Sequence, residues 1–255
     1  PPRQRPSPRT QGCAAIMNSA HSSSRLTFGV IGSGPVGIAF AQALAGAGHL
    51  LAGITAVTEE ARERVDAALP GVPVTDIPGI FSTANLVVVA IPADQLAASI
   101  SGWAHLGLVR PGQLILHTAA EHGVSVLEPA AAVGALTLAV HPAMSFSGTS
   151  LDLARIRESH FAVTASAVVL PIAQALVIEM GAEPVIIAEA DRDTYAEAIS
   201  VATTYSALVV NQAIGLLGQI QVVESRELLS TLLHSAVDRA LAEGYQPIEP
   251  EELRN

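Results

Sequence analysis

The stretch that decides the fold is Leu26–Gly37, which reads LTFGVIGSGPVG. Its apolar first half predicts a buried β-strand, and the glycines that follow predict a tight turn into a helix. Gly32 suits the turn, because glycine adopts positive φ angles without steric cost. Gly37 allows close packing of helix on strand, and Pro35 suits a first helical turn, where its missing N–H would have no partner. The stretch therefore predicts the opening of a β-α-β unit.

The same turn predicts a site for an anionic diphosphate. Gly34 has no side chain, so a diphosphate can approach the backbone closely. The free N–H groups and the dipole at the start of the helix attract negative charge. The residues of this segment that we predict to bind a dinucleotide cofactor are Gly32, Ser33, Gly34, Pro35, Val36 and Gly37.

Apolar runs of strand length alternate with helix-length stretches through residues 26–190, which predicts an α/β, doubly wound, mostly parallel sheet. From Arg192 the pattern changes to two long helices, Arg192–Ile220 and Glu224–Glu243, so residues 191–255 are expected to form a smaller all-α domain. The predicted strands are Leu26–Ile31, Leu51–Val57, Leu86–Ile91, Gln113–His117, Ala135–Val140, Phe161–Thr164 and Pro184–Ile187.

The composition limits the chemistry. Half of the 255 residues are apolar and 14% are charged, which allows a large core and excludes global disorder. All 13 basic residues are arginine, so lysine-based general acids and Schiff bases are excluded. The net charge is −10, divided into +4 over residues 1–25 and −14 over the rest. Such an acidic body repels phosphate backbones, and we expect no nucleic-acid partner.

The chain termini carry further expectations. Residues 1–25 are rich in Pro, Ser and Arg and are predicted to be a disordered tail, within which Met17 is an alternative start. Cys13 is the single cysteine, so a disulfide within the chain and a cysteine-ligated metal site are excluded, which fits a cytoplasmic protein. No metal site is predicted. The native chain is expected either to continue past Asn255 or to cover its helical domain with a second subunit.

The stretch Ala198–Val223 contains no charged residue, which raises the question of a membrane span. It does contain many polar residues, whose insertion into hydrocarbon is costly. They include Thr203, Thr204, Tyr205, Ser206, Asn211, Gln212, Gln219 and Gln221. We therefore predict no membrane association and a helix that packs against a partner, as in a homodimer.

The type of nicotinamide cofactor depends on the end of the second strand. An NAD site usually has an acidic residue there, but this chain has Val57 and Thr58, followed by Glu59 and Glu60. Thr58, with Arg62 one turn later, can bind the 2′-phosphate of NADP. The two glutamates can instead accept a ribose hydroxyl, and all of these residues also suit a helix start. We predict NADP and keep NAD as the alternative.

Ligands of open parallel sheets bind beyond the carboxyl ends of the strands. Ile91 and Pro92 follow one such strand and are predicted to cover the dinucleotide. His117 and His141 end two others, and histidine is the usual proton donor near neutral pH. We rank His141 first and His117 second as catalytic residues, with a purely structural role as the alternative for each.

These motifs resemble a Rossmann-like oxidoreductase family with a C-terminal helical domain of unknown function. That family is similar to pyrroline-5-carboxylate reductases and deazaflavin-dependent NADP oxidoreductases. The resemblance implies a dinucleotide-binding oxidoreductase that dimerises through the helical domain. It also implies that Tyr195 faces the cleft, so we take Tyr195 as a third candidate catalytic residue, with packing at the domain junction as the alternative. It is carried by Gly32–Gly37, Leu86–Pro92, His117-Thr118 and His141–Phe146.

The chain also departs from this family. Thr118-Ala119-Ala120 and Tyr195-Ala196 stand where relatives commonly have Thr-Ser-Gly and Tyr-His. We expect an NAD(P)-dependent oxidoreductase that transfers hydride between nicotinamide and a small C=O or C=N substrate bound between the domains. The alternatives are a non-catalytic dinucleotide-binding regulatory or scaffold protein and a deazaflavin-linked NADP oxidoreductase.

Overall fold

The structure, a computed structural model, describes residues 25–244. Most of the predicted disordered tail, with Met17 and Cys13, lies outside these residues. The chain forms two compact units that divide between Ala196 and Glu197. The boundary predicted from the sequence, after residue 190, falls slightly earlier, because Arg192 and Tyr195 belong to the first unit.

The first unit contains a seven-stranded sheet with the strand order β2-β1-β3-β4-β5-β6-β7. Strands β1 to β5 pair in parallel, β6 is antiparallel to β5, and β7 is parallel to β6. The predicted doubly wound, mostly parallel sheet is therefore confirmed. The strands are Thr27–Ile31 (β1), Leu50–Ile54 (β2), Leu86–Val89 (β3), Leu114–His117 (β4), Leu136–Pro142 (β5), His160–Ala165 (β6) and Glu183–Ile186 (β7).

Helices connect these strands and cover both faces of the sheet. In the first unit they are Pro35–Gly46 (α1), Glu59–Ala68 (α2), Ile77–Thr83 (α3), Ala93–His105 (α4), Glu128–Ala132 (α5), Leu151–Ile156 (α6) and Leu170–Glu179 (α7). The chain then enters Arg192–Ser200 (α8), within which the two units divide.

The central strands are buried on both faces. All four residues of β3 are buried, and Val87 and Val88 belong to two different apolar clusters because successive strand residues point to opposite faces. On one side Phe40 packs on Phe161, with ring centroids 5.7 Å apart. In the cluster on the other side Phe81 meets the edge of Trp103 at 5.5 Å. This double burial accounts for the uninterrupted apolar runs in the sequence.

Two predicted strands extend at least two residues further at their carboxyl ends than the observed ones. The second was expected to reach Val57, but β2 ends at Ile54, and the Thr55 side chain instead accepts a hydrogen bond from the Gly32 amide. The third was expected to include Ile91, but β3 ends at Val89. Both differences lengthen the loops at the carboxyl edge of the sheet, which is the edge that binds ligands in this class of fold.

The second unit is helical, as predicted. From α8 the chain passes through one π-helical segment, Val201–Tyr205, into Ser206–Gln219 (α9), and Ser225–Glu243 (α10) follows. Within residues 197–244 only Ser225 and Leu229 are buried. The continuous helical stretch Glu189–Gln219 is the one described helix that has the length and composition to cross a membrane.

Candidate functional site

Strand register brings the predicted site residues to one edge of the sheet. Ile31 pairs with Val89 of β3, Val89 pairs with His117 of β4, and His117 pairs with Ala139 of β5. His141 therefore lies two residues further along β5, at the carboxyl ends of the parallel strands. The glycine-rich turn follows β1 at the same edge. The two histidines thus end neighbouring strands, as the sequence predicts.

The turn after β1 requires glycine at its first position. Gly32 has a φ angle of +110°, and a side chain there would collide with the carbonyl oxygen of Ala90. Its amide donates to Oγ1 of Thr55 at 2.9 Å, which ties the turn to the residue after β2. The Gly32 backbone is therefore held by the two strands that flank β1.

Gly34 and Gly37 have different roles in this turn. Among residues 25–244, no heavy atom beyond the adjoining residues lies within 4 Å of the position that a Gly34 side chain would take, so the space beside its backbone is open. Gly34 caps helix α1, and within the described residues 25–244 no side chain caps the first amide groups of that helix. At Gly37 a side chain would meet the carbonyl oxygen of Gly32, so this glycine permits close packing. The open corner with unused amides fits the diphosphate of a dinucleotide.

A cavity of about 1060 Å³ adjoins this corner, which is at the upper end for small-molecule sites. Gly32, Ser33, Thr58 and Ile91 line it, and Trp103 of α4 closes part of its wall. The other predicted cofactor residues, together with His117, His141 and Tyr195, are not in its lining. Pro35 instead borders a second cavity of about 340 Å³, Pro92 caps α4, and Val36 packs against the apolar core.

The position of Thr58 is compatible with both roles considered for it, which are capping of a helix and binding of a 2′-phosphate. The Thr58 hydroxyl accepts a hydrogen bond from the Ala61 amide at 3.2 Å and so caps helix α2. Thr58 and Arg62 both line the cavity, whereas Glu59 and Glu60 occupy the first turn of the helix outside that lining. The arrangement leaves one arginine, and neither glutamate, on the cavity wall at this point.

His117 is fully buried and fully hydrogen bonded. Its Nε2 lies 2.8 Å from the Gly123 carbonyl oxygen and must donate, because a carbonyl only accepts. Its Nδ1 accepts from the Ala119 amide at 3.2 Å. Burial, reinforced by the charge of Arg192, lowers the pKa of His117 to about 4. The ring is therefore neutral near pH 7 and holds the loop after β4, which favours the structural alternative for this residue.

His141 and Tyr195 are brought together although they are 54 residues apart. The Tyr195 hydroxyl lies 2.7 Å from Nδ1 of His141, and the two rings meet edge to face with centroids 5.7 Å apart. Burial and then the charge of Arg192 lower the pKa of His141 to about 4, against an opposing effect of Glu121. Burial raises the pKa of Tyr195, so its phenol keeps its proton.

The donor in this pair follows from those pKa values. Near pH 7 the imidazole is neutral, and the phenol is the more acidic of the two groups. The Tyr195 O–H therefore donates to Nδ1, which leaves the proton of the ring on Nε2 of His141. The half-buried His141 ring thus presents an N–H donor at the carboxyl edge of β5.

Sequence reasoning missed Arg192, which is buried beneath this pair. Its Nε donates to Oγ1 of Thr164 at 2.7 Å, and its Nη2 lies 3.3 Å from the carbonyl oxygens of Ala139 and Ala162. The guanidinium carbon lies 5.5 Å from the Tyr195 ring centroid. The only sequence signal for this contact is the spacing of Arg192 and Tyr195, which places them on one face of a helix.

Glu189 is a second residue that the sequence did not single out. Its carboxylate accepts hydrogen bonds from the amides of Val124 and Ser125, at 2.7 and 2.9 Å. Those bonds outweigh desolvation and lower its pKa, so the carboxylate stays ionised. It also packs directly on Gly123, whose carbonyl holds His117. Glu189 and His117 therefore fix the loop that follows β4 from two sides.

The chain belongs to the Rossmann-like domain family, whose pattern matches residues 13–142. Residues 159–248 match a second family, the Domain of unknown function (DUF2520). The predicted resemblance, a Rossmann-like domain followed by a helical domain of unknown function, is thereby confirmed. A comparison with curated proteins gives no match.

Solved structures with the same fold share little sequence with this chain. A candidate NADP oxidoreductase from Bacteroides fragilis is 18% identical with a TM-score of 0.71, over 91% of this chain and 84% of that one. The 1-pyrroline-5-carboxylate reductase of Streptococcus pyogenes is also 18% identical, with a TM-score of 0.64 over the same shares. A pyrroline carboxylate reductase from Plasmodium falciparum with NADP bound is 15% identical, with a TM-score of 0.60 over 87% and 80%. At these identities the likeness shows the fold.

Proposed function

We propose that the protein is an NAD(P)-dependent oxidoreductase that acts on a small C=O or C=N substrate. The observation that carries this proposal is the open corner at Gly34, with unused amides at the start of α1 and the large cavity beside it. The similar structures with NADP in their descriptions support the choice of cofactor class.

When bound, the nicotinamide supplies or accepts the hydride. The chain itself must then hold the substrate oxygen or nitrogen and manage its proton. With its pKa near 4, His141 holds no spare proton near pH 7, so its Nε2–H serves as a hydrogen-bond donor to that atom. The Tyr195 hydroxyl orients the ring by donating to Nδ1. The geometry thus favours a substrate anchor over an imidazolium acid, and gives His117 the role of holding the loop.

The decisive experiment is a screen for oxidation of NADPH and NADH against small ketones, 2-keto acids and cyclic imines. The proposal expects turnover with at least one such class. Binding of NADPH without turnover in any class would instead support the non-catalytic scaffold. Turnover that requires a deazaflavin would support the alternative of a deazaflavin-linked NADP oxidoreductase. If neither NADPH nor NADH binds, the proposed oxidoreductase and both alternatives are contradicted.

We propose NADP as the cofactor, because Arg62 and Thr58 line the cavity whereas Glu59 and Glu60 do not. Replacing Arg62 by alanine is expected to weaken NADPH binding about tenfold and to leave NADH binding unchanged, because only NADPH carries the 2′-phosphate. Titration of nucleotide fluorescence measures both affinities.

Arg64→Ala is the matched control for this prediction, because Arg64 lies on the same helix but borders the smaller cavity. It should leave both affinities unchanged. An equal loss of NADPH and NADH affinity in the Arg62 variant would show that the arginine does not contact the 2′-phosphate. An unchanged NADPH affinity would favour NAD.

We also propose that the helical unit pairs with a second copy of the chain, and that the protein acts in the cytoplasm. The support for pairing is the exposure of apolar side chains on both α9 and α10, among them Leu208 at 57%, Leu216 at 56% and Leu232 at 63%. So few buried residues leave this unit with little core of its own, and small cores are marginally stable.

Replacing Leu216 by aspartate is expected to weaken the dimer at least about tenfold, because a charge replaces apolar surface that pairing would bury. Sedimentation equilibrium without detergent measures this change. Gln219→Asp introduces the same charge on the same helix at a residue that is already polar, and should have a smaller effect. A wild-type protein that sediments as a monomer, or stays dispersed only in detergent, would contradict the proposal.

A further inference from the structure

We infer that Arg192 is a positioning residue that holds the Tyr195 hydroxyl on Nδ1 of His141. The functional importance of this contact rests on the proposed function, in which His141 binds the substrate. Its geometry stands independently, because Arg192, Tyr195 and His141 all belong to the first compact unit.

The anchoring of Arg192 involves β5, the strand that carries His141, and the neighbouring strand β6. Ala139 lies two residues before His141 on β5, and Ala162 is the β6 residue that pairs with His141. The Arg192 Nη2 group contacts both of their carbonyl oxygens, and Nε donates to Oγ1 of Thr164. Arg192 as a whole residue is only 2% exposed. Any rotation of this side chain would break contacts with both strands, so its position relative to β5 is fixed.

Tyr195 is positioned from that fixed group. It follows Arg192 by three residues on α8, which places both side chains on one helix face. The Arg192 guanidinium carbon sits 5.5 Å from the Tyr195 ring centroid, within the range of an attractive cation–π contact. The same ring lies near-perpendicular to the His141 imidazole, so it contacts both the guanidinium and the imidazole.

Arg192 also acts through its charge. It forms no salt bridge among residues 25–244, and its Nη1 is a buried nitrogen without a hydrogen-bond partner in that part of the chain. Glu189 opposes the cost of this burial through its charge but forms no direct ion pair with Arg192. A buried cation without a direct ion-pair partner disfavours a second positive charge nearby. The groups that face His141 are Arg192 and Tyr195 from α8 and Glu121 from the loop after β4, of which only Glu121 opposes this effect. Burial is the larger cause of the low pKa of His141, and Arg192 adds to it. Arg192 thus reinforces the neutral state of the ring, which is the state that accepts the Tyr195 hydrogen bond.

The test is nitrogen NMR of the His141 ring in the complete protein without nucleotide, compared between wild type and Arg192→Met. The wild type should show a proton on Nε2, an accepting Nδ1 and a low pKa. In Arg192→Met the pKa of His141 should rise by about one, because a nearby cation is lost. Nδ1 should no longer be held as a hydrogen-bond acceptor, so the ring should populate both neutral tautomers. Arg157→Met, at a surface arginine, is the control and should change neither signal.

Two further variants separate geometry from charge. Arg192→Lys keeps the charge but not the forked contacts, so it should keep the low pKa and lose the fixed Nδ1 state. Thr164→Val removes the hydrogen-bond partner of the Arg192 Nε and keeps the charge, so it too should lose the fixed Nδ1 state. It provides this test even where Arg192→Met does not fold. Wild-type signals from His141 in folded Arg192→Met, or in both milder variants, would overturn the inference. Since no nucleotide or substrate is added, the result does not depend on whether the proposed activity exists.

Discussion

Replacing Gly34 by aspartate is expected to abolish NADPH binding while leaving the fold intact. The backbone at Gly34 is extended, with a φ angle of −72°, so any residue can adopt it. In the described part of the chain, no heavy atom beyond the adjoining residues lies within 4 Å of the new Cβ, so the side chain enters the open corner. Its carboxylate would occupy the place of the diphosphate and repel it. We expect at least about a hundredfold loss of affinity, or about 3 kcal/mol.

Nucleotide fluorescence measures this binding, and thermal unfolding checks the fold. Gly46→Asp is the matched control, because Gly46 lies at the other end of the same helix and also has open space at its side-chain position. It should bind NADPH as the wild type does. Gly34→Ala adds a methyl group without charge and should lose less affinity than the aspartate variant. Equal NADPH binding by Gly34→Asp and wild type would place the cofactor elsewhere and remove the basis of the proposed function.

The parts of this site that the sequence could predict are those whose cause is local. The turn at Gly32–Gly37 is recognisable within one strand-turn-helix unit, because its glycines directly follow a predicted strand and open a predicted helix. The burial of both faces of β3 follows from an unbroken apolar run. The positions of His117 and His141 at the strand ends followed from the strands that precede them. Each of these features can be recognised from a short, continuous stretch of sequence.

The parts that could not be predicted depend on contacts between distant segments. The Arg192 guanidinium reaches Thr164, 28 residues away, and the Glu189 carboxylate holds Val124, 65 residues away. Neither residue belongs to a recognisable motif. His117 and His141 look alike in sequence, yet only the fold shows that both nitrogens of His117 are bound to backbone groups. Hydrogen-bond partners of this kind depend on the tertiary structure, which composition and periodicity do not encode.

Replacing His141 by alanine is expected to lower the turnover of a substrate found in the screen by at least about a hundredfold, the lower end for loss of a positioned donor. NADPH affinity should stay unchanged, because His141 does not line the cofactor cavity. The wild-type rate should also lack an inflection from His141 between about pH 6 and 8. With its pKa lowered to about 4 by burial and Arg192, the ring stays neutral over that range and becomes protonated only as the pH falls towards 4.

Steady-state kinetics across pH, with the nucleotide saturating, measure both effects. Tyr195→Phe removes the hydroxyl that orients the ring and should cause a smaller loss, about tenfold, since Nε2 remains able to donate. His105→Ala, at an exposed histidine at the end of α4, is the matched control and should keep full activity. Full turnover in His141→Ala would show that another group holds the substrate. A rate that falls below about pH 6.5 in the wild type but not in His141→Ala would show that His141 titrates with an ordinary pKa, and would contradict the neutral ring on which the anchoring role depends.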